Sequence, residues 1–225
     1  MVTAHMQTLD FPIANAGPLS RAARLRGYKS FGEVAEVVRA LPYGRVQDSQ
    51  DALAVLEKHK GTCSSKHRFL AALAQECGHT EVMLMVGLYE MSEASTPGVG
   101  PALQTAGLTT ILEAHCYLMR EGQRYDFTGL SSGAASPFDS LVEERVISPA
   151  APASLKVEYH RSALATWAQS RGLDPNRAWA VREKCIELLA NTTPHTDARD
   201  VPASASDSAA RAGGRERYAA EQTVP

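Results

Sequence analysis

The hydrophobic period of this chain changes sharply near residue 80, and that change limits the folds open to it. Upstream, apolar residues recur at helical spacing: Val34, Val37, Val38 and Leu41, then Leu53 and Leu56, then Phe69, Leu70 and Leu73. Downstream, Val82, Leu84, Val86 and Leu88 alternate with Met83, Met85 and Tyr89, the pattern of a strand buried on both faces. Further strands are expected at 109–119 and 124–128, and helices return at about 154–170 and from Asp174 onward. Helices grouped before and after a block of strands predict an α+β fold, not a doubly wound sheet.

Local signals fix several boundaries. Ser30 and Glu33 form a capping box before the first apolar run, and Pro42 ends it. A second helix is expected over 49–60 with Gly61 as its stop, and a third from Cys63, capped by Thr62, to Gly78. Asp174-Pro175 pairs an N-cap aspartate with a proline at the first helical position. Residues 1–28 read as an arm with little regular structure, 29–190 as one domain, and 92–107, rich in Pro and Gly, as a long surface loop. Residues 191–225 hold few large apolar side chains and are expected to be disordered.

Composition narrows the partners. A formal net charge of −2 and 21% charged residues, with no basic stripe, argue against nucleic acid or an anionic membrane surface. No apolar run approaches a membrane span, and the N-terminus lacks a secretory pattern, so a cytoplasmic chain is expected. The 4 cysteines (Cys63, Cys77, Cys116, Cys185) lack disulfide-framework spacing, and reduced thiols are the default.

Among them Cys63 stands apart. It falls on the first turn of an expected helix, where unpaired N–H groups and the helix dipole favour a thiolate. Lys66 and His67 follow in the same turns, where cations are unhelpful to the helix but would help an anion. Two strands joined at Glu121-Gly122 put Arg120 opposite Gln123. Counting back sets Tyr117 across from Asp126, so that His115 and Asp126 share a face as diagonal neighbours. A slip of one residue would move Asp126 to the other face. Histidine able to take a thiol proton, with aspartate orienting it, is what a thiolate enzyme requires.

Gly61-Thr62-Cys63 at a helix start, Ala114-His115 on a strand and Asp126-Phe127-Thr128 on its return resemble the transglutaminase-like superfamily over roughly residues 42–130. That group includes animal transglutaminases, peptide N-glycanases, arylamine N-acetyltransferases and many bacterial proteins. The resemblance implies a papain-like core, with the cysteine on a helix packed against an antiparallel sheet. It further implies Cys63 as nucleophile, His115 as general base and acid, Asp126 as orienter, and no cofactor. Cys116 stands where the family often has tryptophan, and Phe127 where proline is usual. The glutamine that papain-like proteases place just before the cysteine is missing. Tyr43, Arg45, Gln47 and Gln50 are candidates for the second oxyanion donor, and His67 for the pocket wall.

The implied activity is acyl transfer from an amide or ester substrate through a thioester, by hydrolysis, transamidation or acetyl transfer. Two alternatives stand beside it. Cys63 and His67 at i, i+4, with His115 or Cys116, could ligate zinc. A non-catalytic scaffold of the same shape would lack a thiol that alkylates quickly below pH 7. Oligomeric state has no signature in the sequence.

Overall fold

The structure, a computed structural model, describes residues 9–46, 51–130 and 133–192. It is α+β. Among the described residues there are seven α-helices, a short 3-10 turn and one four-stranded antiparallel sheet of order β3-β2-β1-β4. The helices are α1 (Pro18–Leu25), α2 (Phe31–Ala40), α3 (Ala54–Glu57), α4 (Cys63–Glu76), α5 (Gly100–Thr105), α6 (Ala153–Gln169) and α7 (Pro175–Thr192). The strands are β1 (Met83–Met91), β2 (Ile111–Arg120), β3 (Gln123–Tyr125) and β4 (Leu141–Ile147). No described helix is long and apolar enough to cross a membrane.

β1 lies between β2 and β4 and is buried on both faces, as its uninterrupted apolar run requires. Helix α4 packs on β2 and β1 from one direction, while α6 and α7 pack on each other and on β2. The hairpin has the expected register: Arg120 pairs with Gln123, Met119 with Arg124 and Leu118 with Tyr125. Glu121 and Gly122 both take positive φ (52° and 78°), the combination that a two-residue turn needs to follow strand twist. β3 then ends at Tyr125, three residues short of the expected 124–128 strand, so β2 keeps an open edge over 111–117. That open edge is where the site forms.

Four expectations change. The described part of the N-terminal arm is built into the core. Phe11 stacks on Phe31 at 4.6 Å between ring centroids, and Ile13 and Phe31 donate backbone hydrogen bonds to Lys29 and Phe11. Pro18 opens α1, and the Glu76 carboxylate, at the end of α4, accepts from the Leu19 and Ser20 N–H groups at 3.0 and 3.1 Å. Prolines and glycines that resembled loop punctuation are the brackets of a helix. The same holds in 92–107, where Pro101 lies in the first turn of α5 and Gly107, at φ 71°, follows its end. The helix expected over 49–60 contracts to Ala54–Glu57. Finally β4 occupies a segment to which the sequence assigns no element, because Leu141-Val142-Glu143-Glu144-Arg145-Val146-Ile147 has no apolar alternation. The expected disorder of 191–225 lies almost wholly outside the described residues; α7 itself continues to Thr192.

Candidate active site

Thr62 caps α4: its Oγ1 accepts from Ser65 N–H at 3.5 Å, and Ser65 Oγ accepts from Thr62 N–H at 2.9 Å. Cys63 is therefore the first residue of a capped helix, with a backbone N–H that has no intrahelical acceptor. The helix start meets the open edge of β2, and His115 and the Cys116 backbone N–H are the groups of that edge that stabilise the Cys63 thiolate. The side chain is only 6% exposed, but it lines a cavity of about 400 Å³ bounded by α4, α6 and α7.

His115 Nε2 lies 2.8 Å from Asp126 Oδ2, leaving Nδ1 as the ring nitrogen for the thiol. The diagonal pairing expected from the hairpin is realised, although Asp126 lies just past the end of β3. Its other oxygen, Oδ1, accepts from the Thr128 N–H at 2.8 Å and the Thr128 hydroxyl at 2.5 Å. The turn is held from behind. Gly129 has φ 76° and packs so closely on the Arg39 carbonyl that a Cβ would collide with it.

The charges follow from this geometry. Burial alone would raise the Cys63 thiol, but the Lys156 ammonium, the hydrogen bond and charge of His115, and the Cys116 N–H together lower it to about 6. Burial likewise opposes charge on His115, but Asp126 and the Cys63 sulfur hold its pKa well above the ordinary range. Asp126 is desolvated too, and the His115 imidazolium more than offsets this, keeping the carboxylate ionised. The favoured resting state is a thiolate–imidazolium pair beside a carboxylate. Cys116 shares Lys156 and His115 with Cys63, but its burial and the Cys63 sulfur outweigh them. Burial raises Cys77 and Cys116, and pushes Cys185 to about 11.

Lys156, on the first turn of α6, was not singled out in the sequence. Its Nζ donates to Ser64 Oγ at 2.7 Å and lies 3.9 Å from Cys63 Sγ. Lys66, expected to help the thiolate, points elsewhere. Fully buried, it donates to the carbonyls of Leu41 (2.6 Å), Thr128 (2.7 Å) and Arg39 (3.3 Å), tying the end of α2 to the aspartate turn.

His67 also changes role. It is absent from the cavity wall and fully buried. Its Nδ1 donates to the Cys63 carbonyl at 2.8 Å, and its Nε2 accepts from the Phe127 N–H at 2.7 Å, so the ring clamps the first turn of α4 to the turn that holds Asp126. Nε2, being an acceptor, forms no ion pair with Asp126 at 3.6 Å. With both nitrogens engaged, the ring has none left for the zinc site considered above.

Desolvation lowers His67 to about 4. A histidine kept neutral in the fold takes up its proton later than in the unfolded chain, so its contribution is complete above pH 6.5 and drains away as pH falls towards 4. The expected loss between pH 7 and pH 5 is about 2 kcal/mol. Urea unfolding of wild type and His67→Gln at both pH values checks this: the variant's pH difference should be smaller by about that amount. His160 and the Cys63 thiolate lose stability over the same interval and His115 acts in the opposite sense, so a slope remains in the variant. An unchanged pH slope in the variant would rule the clamp out as its source.

Of the oxyanion candidates, Tyr43 lines the cavity and is kept neutral by burial and by the nearby Cys63 sulfur. A short bridge to Gly61 places it beside the start of α4. Arg45 also lines the cavity but is paired with Glu183 at 2.7 Å. Gln47 and Gln50 lie outside the described residues. No family model, curated protein or solved structure matches the chain.

Proposed function

We propose that this chain is a cysteine-dependent acyl-transfer enzyme with a papain-like arrangement, as the transglutaminase-like resemblance implies. The reading is carried by one observation: the thiolate of a cysteine at a helix start is stabilised by His115, whose Nε2 is 2.8 Å from Asp126, the three coming from α4, β2 and the turn after β3. The α4 helix packed on an antiparallel sheet supports the papain-like part of the reading.

The Cys63 thiolate attacks an amide or ester carbonyl, forming the S–C bond. The Cys63 N–H and the Tyr43 hydroxyl stabilise the oxyanion. His115 gives its Nδ1 proton to the departing nitrogen or oxygen as the C–N or C–O bond breaks. Water or an amine, deprotonated by the same nitrogen, then resolves the thioester and restores the thiolate.

Iodoacetamide labelling followed by intact mass tests the first requirement. At pH 6 a thiol of pKa about 6 has roughly 100-fold more thiolate than an ordinary one, and its lower basicity gives back about tenfold of that advantage. One adduct is expected, forming about tenfold faster than on an ordinary thiol, with a midpoint near pH 6, and none at this pH in Cys63→Ala. Labelling that rises only above pH 8, or that survives Cys63→Ala, would refute the enzyme reading and leave a scaffold.

A further inference from the structure

The cavity above Cys63 is unbalanced in charge. Its wall carries five cationic side chains (Arg45, Arg68, Lys156, Arg161 and Arg182) against one carboxylate, Glu183. Three of the five are already engaged. Arg182 is gripped by Glu113 and Glu183, Arg45 by Glu183, and Lys156 by Ser64 and the thiol. Arg68 and Arg161 have no carboxylate partner among the described residues.

Arg68 lies one turn beyond Ser64 on the same face of α4 and is 7% exposed, yet it makes no hydrogen bond or ion pair among the described residues. The nearby Cys116 thiol is kept protonated by burial and offers it no anion. The Arg68 guanidinium lines the cavity without a fixed anion, and its forked N–H donors match a planar or tetrahedral oxyanion. Arg161, at the exposed rim, sits over the Trp179 ring at 4.0 Å and likewise has no carboxylate partner among the described residues. A cavity of about 400 Å³ suits a small molecule.

We propose that the acyl substrate is a small compound with a second, anionic group, a carboxylate or phosphate, which Arg68 and Arg161 bind while its carbonyl meets Cys63. This rests on the acyl-transfer reading and adds the substrate class to it.

Two alkylating agents that differ mainly in charge provide the test. Iodoacetate reacts more slowly than iodoacetamide with an ordinary thiolate, because like charges repel. The full chain is expected to reverse that order, with a rate ratio above one at pH 7 and constant ionic strength. Arg68→Gln should lower the ratio at least fivefold, and Arg68→Lys should retain part of it. Succinate and inorganic phosphate, compared as protectants of the wild type, separate the two anion chemistries. Saturable protection by either, with none from matched chloride, supports the site and identifies its class, even if Arg68→Gln fails to fold. A wild-type ratio below one with no protection by either anion overturns the proposal. Slow iodoacetamide labelling below pH 7 would instead count against the acyl-transfer reading, so the two failures are distinct.

Discussion

Replacing His115 by alanine is expected to move the alkylation midpoint of Cys63 from about pH 6 upward by more than one pH unit. For any amide or unactivated ester that the chain cleaves, turnover should fall by about 10²–10⁴-fold, the usual contribution of a positioned acid–base group. The two effects share a cause. In the resting pair the imidazolium holds the proton that the thiol has given up, and Asp126 fixes Nε2 so that Nδ1 faces sulfur. Without the ring, Lys156 and the Cys116 N–H still favour the thiolate, so the shift stops short of an ordinary cysteine. No group is then left to protonate the leaving atom. The pH profile of iodoacetamide labelling, run on wild type and His115→Ala, measures the first effect without knowledge of the substrate. An unchanged midpoint would mean that the imidazole is no partner of this sulfur.

Arg182→Ala is expected to cost about 3–5 kcal/mol, because it abandons a buried carboxylate. Glu113 is 4% exposed and takes two short contacts from Arg182, 2.6 Å from Nε and 2.7 Å from Nη2. Burial opposes its charge, but the guanidinium prevails and lowers it to about 2. A carboxylate depressed in the fold contributes stability above its unfolded pKa of about 4.5 and loses it as pH falls through about 2. Arg182→Ala should therefore lower the melting temperature by about 10 °C at pH 7. The double variant Glu113→Gln with Arg182→Met, which removes the stranded charge, should recover much of the loss. A single variant melting within a degree or two of wild type would show that the pair contributes little. The pair matters to the site as well. It pins α7 to β2, and α7 supplies Trp179, Arg182 and Glu183 to the cavity wall.

The features legible beforehand were those governed by neighbours in the chain. Ser30 with Glu33 closes a capping box, Thr62 caps α4, and Asp174 caps α7 by accepting from the Arg177 N–H at 2.7 Å, each within a single turn. Glu121-Gly122 sets a hairpin register whose consequence, His115 facing Asp126, is arithmetic along two adjacent strands. Lys66 and Lys156 show where such reasoning stops. Both are cations near a helix start, and the same local signal marks each of them. One reaches three carbonyls between α2 and the aspartate turn, while the other, 93 residues along the chain from Cys63, is brought to the sulfur. The direction of a long flexible side chain depends on what packs beside it, which no window of sequence contains.

Residue order and short-range stereochemistry thus determined the helix that presents Cys63, the turn that aligns His115 with Asp126, and the α+β order of elements. Tertiary packing alone decided the remainder. It selected Lys156 as the thiolate's counter-charge, made His67 a buried clamp instead of a pocket wall, drew residues 9–28 into the core, and left Arg68 at the cavity without an anion among the described residues. The physical division is one of range: hydrogen bonds within a turn act between residues a few places apart, whereas burial and charge compensation are set by groups that only the folded chain brings together.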